Sequence, residues 1–468
     1  MDVSISPSPD ATCEPRDCQR IEVSALGRDY MTQRRVAVND LLGVPVADMA
    51  VAPPIYIHNT VNAMKAAPAL PLADIHQAMA QAADRFQHDT IAGLSADEYC
   101  RLVQRTTGLP LDVLEHALTA IANALRTMPE IIDAGMPRGA RWLWRDPDTL
   151  AGCSLFSRRG DSFAVLAAGN GPGIHALWPQ AVALGYRTLV KPSSREPFTA
   201  QRVVSAMAMT GLEHYVALIP TDYRGAEELV ASADLTLAYG GPDIVEKYRA
   251  HPTVRVQGPG RSKMVIGVDA DRDDAASLVA KAMTDLGGAA CVSTSAVLVE
   301  GEVADFCQRL RQALQQVPPY RLPYASAQTV ERLKLSLGDD ASSSLQAMLT
   351  PEGYLLHPVV IDVAEPDDPR LQREFPFPCV TVAPYHATRS VSVLAGSLVV
   401  TVFSGRRELL EPILEDASIS NVYIGDIPTT WMSPLVPHDD YLSEFLMCNR
   451  GLRVSASWAE TMGKGKEL

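Results

Sequence analysis

The 468-residue sequence has no uninterrupted apolar run long enough to span a bilayer, and its opening stretch MDVSISPSPDATCEPRDC has neither a basic nor an apolar segment. Export and membrane insertion are both unsupported. Positive charge is the minority sign: 41 lysines and arginines against 55 acidic residues give -14, and no basic stripe carries interleaved aromatics. Such a balance repels a phosphate backbone, so no nucleic-acid partner is expected. The chain also lacks a paired CxxC and an HExxH, which leaves no metal signature. Eight cysteines are too sparse for a disulfide framework and fit reduced thiols of the cytoplasm.

What is there is an ordinary globular composition, 47% hydrophobic and 21% charged, over a length that suits two or three domains. A polar, proline-bearing lead segment runs to about Pro54. Helical periodicity follows in LADIHQAMAQAADRF and LDVLEHALTAIANALRTM. From Arg141 the pattern breaks into strand-like pieces around RWLWRD and SLFSRR, read as a hairpin over about 141–160. Beyond Phe163 strands and helices alternate: FAVLAA, a helix over about 174–185, TLVKPS, a helix over about 197–210, YVALIP and DLTLAY. Alternation predicts an α/β fold with a parallel sheet whose ligands lie past the carboxyl ends of its strands. The turn there is Gly169, Asn170, Gly171, Pro172 and Gly173, rich in glycine but without the GxGxxG spacing.

The segment LGGAACVSTS, from Leu286 to Ser295, sets Cys291 behind small residues that let a carbonyl approach the sulfur with backbone N–H groups near the developing oxyanion. Cys13, Cys18, Cys100, Cys153, Cys307, Cys379 and Cys448 are read as packing thiols. Asn170 offers a side-chain amide to an oxyanion, Lys191 a donor for ribose or phosphate oxygens, and His175 is read as a packing residue.

In chain order the Asn170 turn, KPSS at Lys191 to Ser194, YGGP at Tyr239 to Pro242, QGPGRS at Gln257 to Ser262, Cys291, and REFPFP around Glu374 resemble the aldehyde dehydrogenase superfamily over roughly Arg141 to Asp426. The resemblance implies a nucleotide-binding parallel-sheet domain, a second α/β catalytic domain and a small oligomerisation element. Boundaries follow as 1–262 for the helical segment and nucleotide domain, 263–425 for the catalytic domain, and 426–468 for a tail returning to the nucleotide domain or a partner subunit. It also implies Cys291 as nucleophile and Asn170 with the Cys291 N–H as oxyanion hole. Lys191, Ser193, Ser194, Arg195, Gly240, Gly241, Pro242, Glu374 and Phe375 would then line the cofactor.

One departure from that pattern bears on function. Hydrolytic members carry a glutamate where Gln257 stands, and an amide cannot take a proton from water. A thioester on Cys291 would then resist hydrolysis, unless Glu300, Glu352 or Glu374 serves as base. That combination resembles the acylating branch, nearest the long-chain acyl-CoA reductases of bacterial bioluminescence. The main expectation is therefore NAD(P)H-dependent reduction of an acyl thioester, on CoA or a carrier protein, to an aldehyde. The alternatives are aldehyde oxidation to an acid and a non-catalytic binding protein. Ser194 removes a carboxylate that would repel a 2′-phosphate, and Arg195 beside it favours NADPH over NADH. A homodimer or homotetramer, with an acyl-activating or aldehyde-consuming partner enzyme, completes what the resemblance implies.

Overall fold

Short apolar strands separated by helices assemble two principal sheets in the computed structural model, which describes residues 18–338 and 342–463. The first has seven strands in the order Val254–Gln257, Leu235–Tyr239, Ser162–Leu166, Arg187–Lys191, Val216–Leu218, Val23–Ala25 and Arg28–Tyr30. The first five run parallel. The chain leaves Ser162–Leu166 toward one side and later returns to pair on the other, so the switch point falls at the Gly169–Gly173 turn.

The second sheet is parallel throughout, ordered Val359–Asp362, Cys379–Pro384, Ala296–Val299, Lys263–Ile266, Val399–Phe403 and Asn421–Ile424. QGPGRS is the link from the edge of the first sheet into the middle of the second. The expected α/β architecture is what the chain adopts, and the two periodic segments form the helices Leu72–His88 and Leu111–Arg126. Ile75, Met79, Ala82 and Phe86 lie at helical spacing with no exposed surface, each large side chain contributing roughly 2 kcal/mol of burial.

Three readings need correction. Residues before Pro54 are not a plain lead segment, because Gln19–Ile21 and Arg35–Asn39 flank Pro45–Ala50 in a sheet, and Val23–Ala25 joins the first principal sheet. Their strands are mostly too short to carry a visible alternation, although Ile21 and Val23 are fully buried.

The stretch 141–160 is not a hairpin. Ala140–Arg141 and Cys153–Arg158 pair in parallel, because the link between them makes a 3-10 turn at Pro147–Leu150, capped by Asp146, that carries the chain across. Met447–Leu452 completes that sheet antiparallel to Cys153–Arg158. Trp142 packs edge-to-face on Phe156, whereas Trp144 is exposed.

Cys18 is disulfide-bonded, not a packing thiol. Cys13 lies outside the described residues. Among those residues no helix is long and apolar enough to cross a membrane.

Glu196, in the turn after the strand Arg187–Lys191, is fully buried; its Oε1 accepts the Thr199 N–H at 2.8 Å and its Oε2 has no partner. Burial pushes the carboxyl up from 4.5 to about 7. Between those values the folded state holds a proton that the unfolded state has lost, so stability falls as pH rises through the window and stays low above it, by roughly 3 kcal/mol. Glu196→Gln keeps the acceptor without the charge. Its melting temperature is expected to exceed the parent's at pH 8 and to converge with it near pH 5 in paired thermal melts.

Candidate active site

Cys291 is presented by a left-handed run. After the helix Arg272–Thr284, Leu286, Gly287 and Gly288 take φ of 57°, 68° and 66°, a conformation that costs a non-glycine residue about 1 kcal/mol. A Cβ on Gly288 would sit 2.4 Å from Pro378 N and 2.7 Å from the Phe377 carbonyl carbon. Backbone cannot yield as a side chain can. Gly288→Ala is therefore expected to lose about 2 kcal/mol or more and to slow alkylation of Cys291, both measured on the purified variant.

QGPGRS fixes the other side of this turn. A Cβ on Gly260 would lie 2.0 Å from the Cys291 carbonyl oxygen, and Ser262 Oγ donates to that oxygen at 2.8 Å. Lys263, fully buried, braces the segment by donating to the Arg261 carbonyl at 2.7 Å and Ser397 Oγ at 2.9 Å. Burial, with Arg261 adding to it against the pull of Glu374, lowers its ammonium to about 7.

Across the cleft, Asn170 Nδ2 donates to the Ala289 carbonyl at 3.2 Å, joining the glycine turn to the cysteine loop over 119 residues. An amide nitrogen carries two hydrogens, so a second N–H is left for an oxyanion at the thiol. His175 lies fully buried with Nδ1 accepting from Trp178 Nε1 at 2.9 Å, and burial lowers it to about 3. It stays neutral and packed.

The partner of the thiol was not foreseen. Cys291 Sγ lies 3.4 Å from His438 Nε2, and on the far side of the imidazole Asp439 Oδ1 is 3.7 Å from Nδ1, a charge contact longer than a hydrogen bond. Gln257 Nε2 donates to both Asp439 oxygens, at 2.9 and 3.1 Å, and Arg255 holds Asp439 Oδ2 at 3.0 Å. The loop bearing His438 is tied to its surroundings three times. Asn421 Nδ2 donates to the His438 carbonyl, Thr429 and Thr294 hydroxyls meet at 2.9 Å, and Thr430 Oγ1 donates to Asp285 at 3.3 Å.

Burial alone would lower the His438 imidazolium, but Asp439 and Cys291 outweigh it and push the group up to about 10. Burial would raise Asp439, yet His438, Gln257 and Arg255 hold it well below the usual carboxylate range. Tyr239, at the end of its strand, is pushed far up by burial and by the charges of Cys291 and Asp439. The set can therefore form a nucleophile, stabilise an oxyanion and move a proton. His438 and Asp439 stand in the PHDD of a proline-bearing loop, which carries no local mark of a catalytic role.

The remaining expected residues fall as follows. Lys191 ends its strand half-buried, its ammonium lowered by burial and donating to the Pro192 carbonyl at 3.2 Å. Ser193 accepts the Arg195 N–H at 3.1 Å, and Ser194 is exposed beside it. Arg195 is exposed, with part of its guanidinium engaged by a neighbouring helix. Its guanidinium donates to the Thr106 and Thr107 carbonyls at 3.3 and 3.0 Å, at the end of the helix Ala96–Thr107, whose last carbonyls need donors.

Gly240 donates its N–H to the Gln257 carbonyl at 3.1 Å, and Gly241 and Pro242 open the helix Pro242–Tyr248. Glu374 accepts the Arg261 N–H at 2.5 Å and is raised by burial, while Phe375 packs edge-to-face on Phe377. Glu300 is occupied by Arg406 at 2.6 Å, and Glu352 is exposed on a turn.

The site thus sets a thiol beside an amide-bearing glycine turn, between a mixed sheet and a parallel one. The chain belongs to the aldehyde dehydrogenase family, whose model matches residues 55–438. It is 26% identical over 237 residues to betaine aldehyde dehydrogenase of Vibrio vulnificus, and spans 47% of that protein's length with 47% of its own. Among solved structures, an NAD-dependent aldehyde dehydrogenase from Sinorhizobium meliloti superposes with a TM-score of 0.76 at 17% identity, over 96% of this chain and 97% of that one. NADP-dependent glyceraldehyde-3-phosphate dehydrogenase from Bacillus halodurans, complexed with NADP, gives 0.73 at 14%, over 92% and 98%. Both share its fold.

Proposed function

We propose that this chain catalyses NAD(P)-dependent oxidation of an aldehyde to an acid through a covalent adduct on Cys291. The observation that carries the reading is the convergence of Cys291, Asn170 and His438 where the glycine turn meets the cysteine loop. The betaine aldehyde dehydrogenase of Vibrio vulnificus supports the oxidative direction by its name.

The donor set suits a dinucleotide. Lys191 is held by one carbonyl and keeps further N–H groups for ribose hydroxyls at the carboxyl ends of the parallel strands. Gly240, Gly241 and Pro242 form the neighbouring turn, and Ser193 and Ser194 bring no carboxylate to it. Glu374, with Phe375 beside it, keeps oxygen lone pairs for the second ribose. When bound, the nicotinamide supplies the hydride acceptor. Preference for NADP rests on Ser194, part of the Arg195 guanidinium being engaged by a neighbouring helix.

Within the site the Cys291 thiolate attacks the aldehyde carbon and the alkoxide is met by the Asn170 amide and the Cys291 N–H. Gln257 favours a second reading, acyl-thioester reduction, because position 257 offers no base. None of Glu300, Glu352 and Glu374 stands in for it: the first is ion-paired to Arg406, the second exposed, and the third accepts from Arg261. In this reading the acyl donor is CoA or a carrier protein. A homodimer or homotetramer and an acyl-activating or aldehyde-consuming enzyme are the proposed partners.

Purified protein assayed with an aldehyde panel and NAD or NADP, beside acyl-CoA thioesters with NADH or NADPH, separates the two. Cys291-dependent formation of free acid supports oxidation. Cofactor oxidation that requires the thioester and releases aldehyde overturns it.

A further inference from the structure

We infer that His438 is a catalytic residue of this site, carrying the proton of Cys291 and later taking one from the water that cleaves the acyl-cysteine, with Asp439, Gln257 and Arg255 as positioning residues. The inference rests on Cys291 being the nucleophile and goes beyond it, because it supplies the base that position 257 lacks.

The argument begins with geometry. Nε2 at 3.4 Å from Sγ is within reach for proton exchange with a thiol. The imidazole is not a loose surface group, since its backbone carbonyl is held by Asn421 and its ring lies between Cys291 and Asp439. Nδ1 has no hydrogen-bond partner of its own, so the Asp439 charge, 3.7 Å away, is what favours a proton on the ring. The charged and titratable groups set against the His438 ring are the Cys291 sulfur from its loop and the Asp439 carboxylate from its own segment, with Arg255 binding Asp439 and Asp440 behind them. Arg255 is neutralised by the two aspartates it binds.

Gln257 has a reason to be glutamine here. Its amide donates to both oxygens of Asp439, which a glutamate could not do. The carboxylate of this site thus stands at 439 and acts through an imidazole, instead of standing at 257 and acting on water directly.

The proton inventory closes. As the sulfur bonds to the substrate carbon, its proton passes to Nε2 across the 3.4 Å contact, leaving an imidazolium. Once the acyl-cysteine is formed, sulfur carries no negative charge, so the imidazolium loses one of the two partners that stabilise it and releases its proton to solvent. Neutral Nε2 then accepts a proton from water as the water oxygen bonds to the acyl carbon. Collapse of the tetrahedral adduct breaks the carbon–sulfur bond, returns the electron pair to sulfur and frees the acid, with His438 again protonated.

The test compares the parent, His438→Gln and Asp439→Asn, each checked by thermal melting, with Cys291→Ala as the background for other thiols. Iodoacetamide alkylation is followed from pH 6 to 9. Near pH 6.5 His438→Gln is expected to react about 100-fold more slowly than the parent, the gap narrowing as pH rises to 9. With p-nitrophenyl acetate, acylation of His438→Gln at pH 9 is expected to persist while steady turnover falls about 100-fold. Asp439→Asn keeps the ring and is expected to shift both profiles in the same direction, which keeps the inference testable if the glutamine variant does not fold.

Superimposable alkylation profiles for parent and folded variants overturn the inference, as does unchanged deacylation. Alkylation needs neither aldehyde nor nicotinamide, so failure of the proposed oxidation is read separately.

Discussion

Cys291→Ala is expected to lower turnover at least about 10⁴-fold, the loss that follows removal of a nucleophile from a site built around it. Its fold should survive, because Cys291 is half-buried at the site and alanine keeps the Cβ that packs beside Gly260. A melting temperature within a few degrees of the parent's, together with absent turnover, is the expected pair of results. Of the five other described cysteines that are free thiols, Cys100, Cys307 and Cys379 are buried, and burial pushes the first two up to about 11 and Cys379 higher still. They are poor nucleophiles for that reason. Residual turnover above a hundredth of the parent's in Cys291→Ala would show that the chemistry runs elsewhere.

Gln257→Glu is expected to reduce deacylation about 100-fold instead of improving it, which is the opposite of what a missing base would predict. The amide now donates to Asp439 at 2.9 and 3.1 Å. A carboxylate there would stand at contact distance from another carboxylate, and two like charges so placed cannot both ionise. Either the pair shares a proton, weakening the hold of Asp439 on His438, or Asp439 swings away and leaves Arg255 with Asp440 alone. A stopped-flow measurement of acyl-enzyme decay against pH reads this directly. Faster decay in Gln257→Glu would mean that position 257 acts on water itself and that the Asp439 contact is incidental.

The order of these residues along the chain explains what the sequence disclosed. Alternating strands and helices from Phe163 onward announced the nucleotide-side sheet because each strand is apolar and each is closed by a turn signal. The Cys291 loop was visible for a related reason, since glycine pairs that hold a positive φ are marked in the composition itself. His438 could not be found in that way. Its meaning depends on a contact spanning 147 residues, and nothing local distinguishes the PHDD stretch from any polar loop. Arg195 shows the same limit, since its hydrogen bonds to the Thr106 and Thr107 carbonyls join residues 89 and 88 positions apart. Three of the N-terminal strands escaped because three residues are too few to display a period.

The loop bearing His438 is strung between two fixed ends. Upstream it leaves Asn421–Ile424, the edge strand of the second sheet; downstream, after the short helix Leu442–Leu446, the chain enters Met447–Leu452, paired along its whole length to Cys153–Arg158. The proton carrier is thereby moored through the chain at both ends, whereas the thiol's loop reaches the first sheet's glycine turn by a side-chain hydrogen bond from Asn170. A load placed on the final strand, whether a fused domain, a neighbouring subunit or a proteolytic nick, would be felt at the imidazole before it was felt at the sulfur. The strand pairing that holds the tail is therefore also what holds the downstream end of the His438 loop.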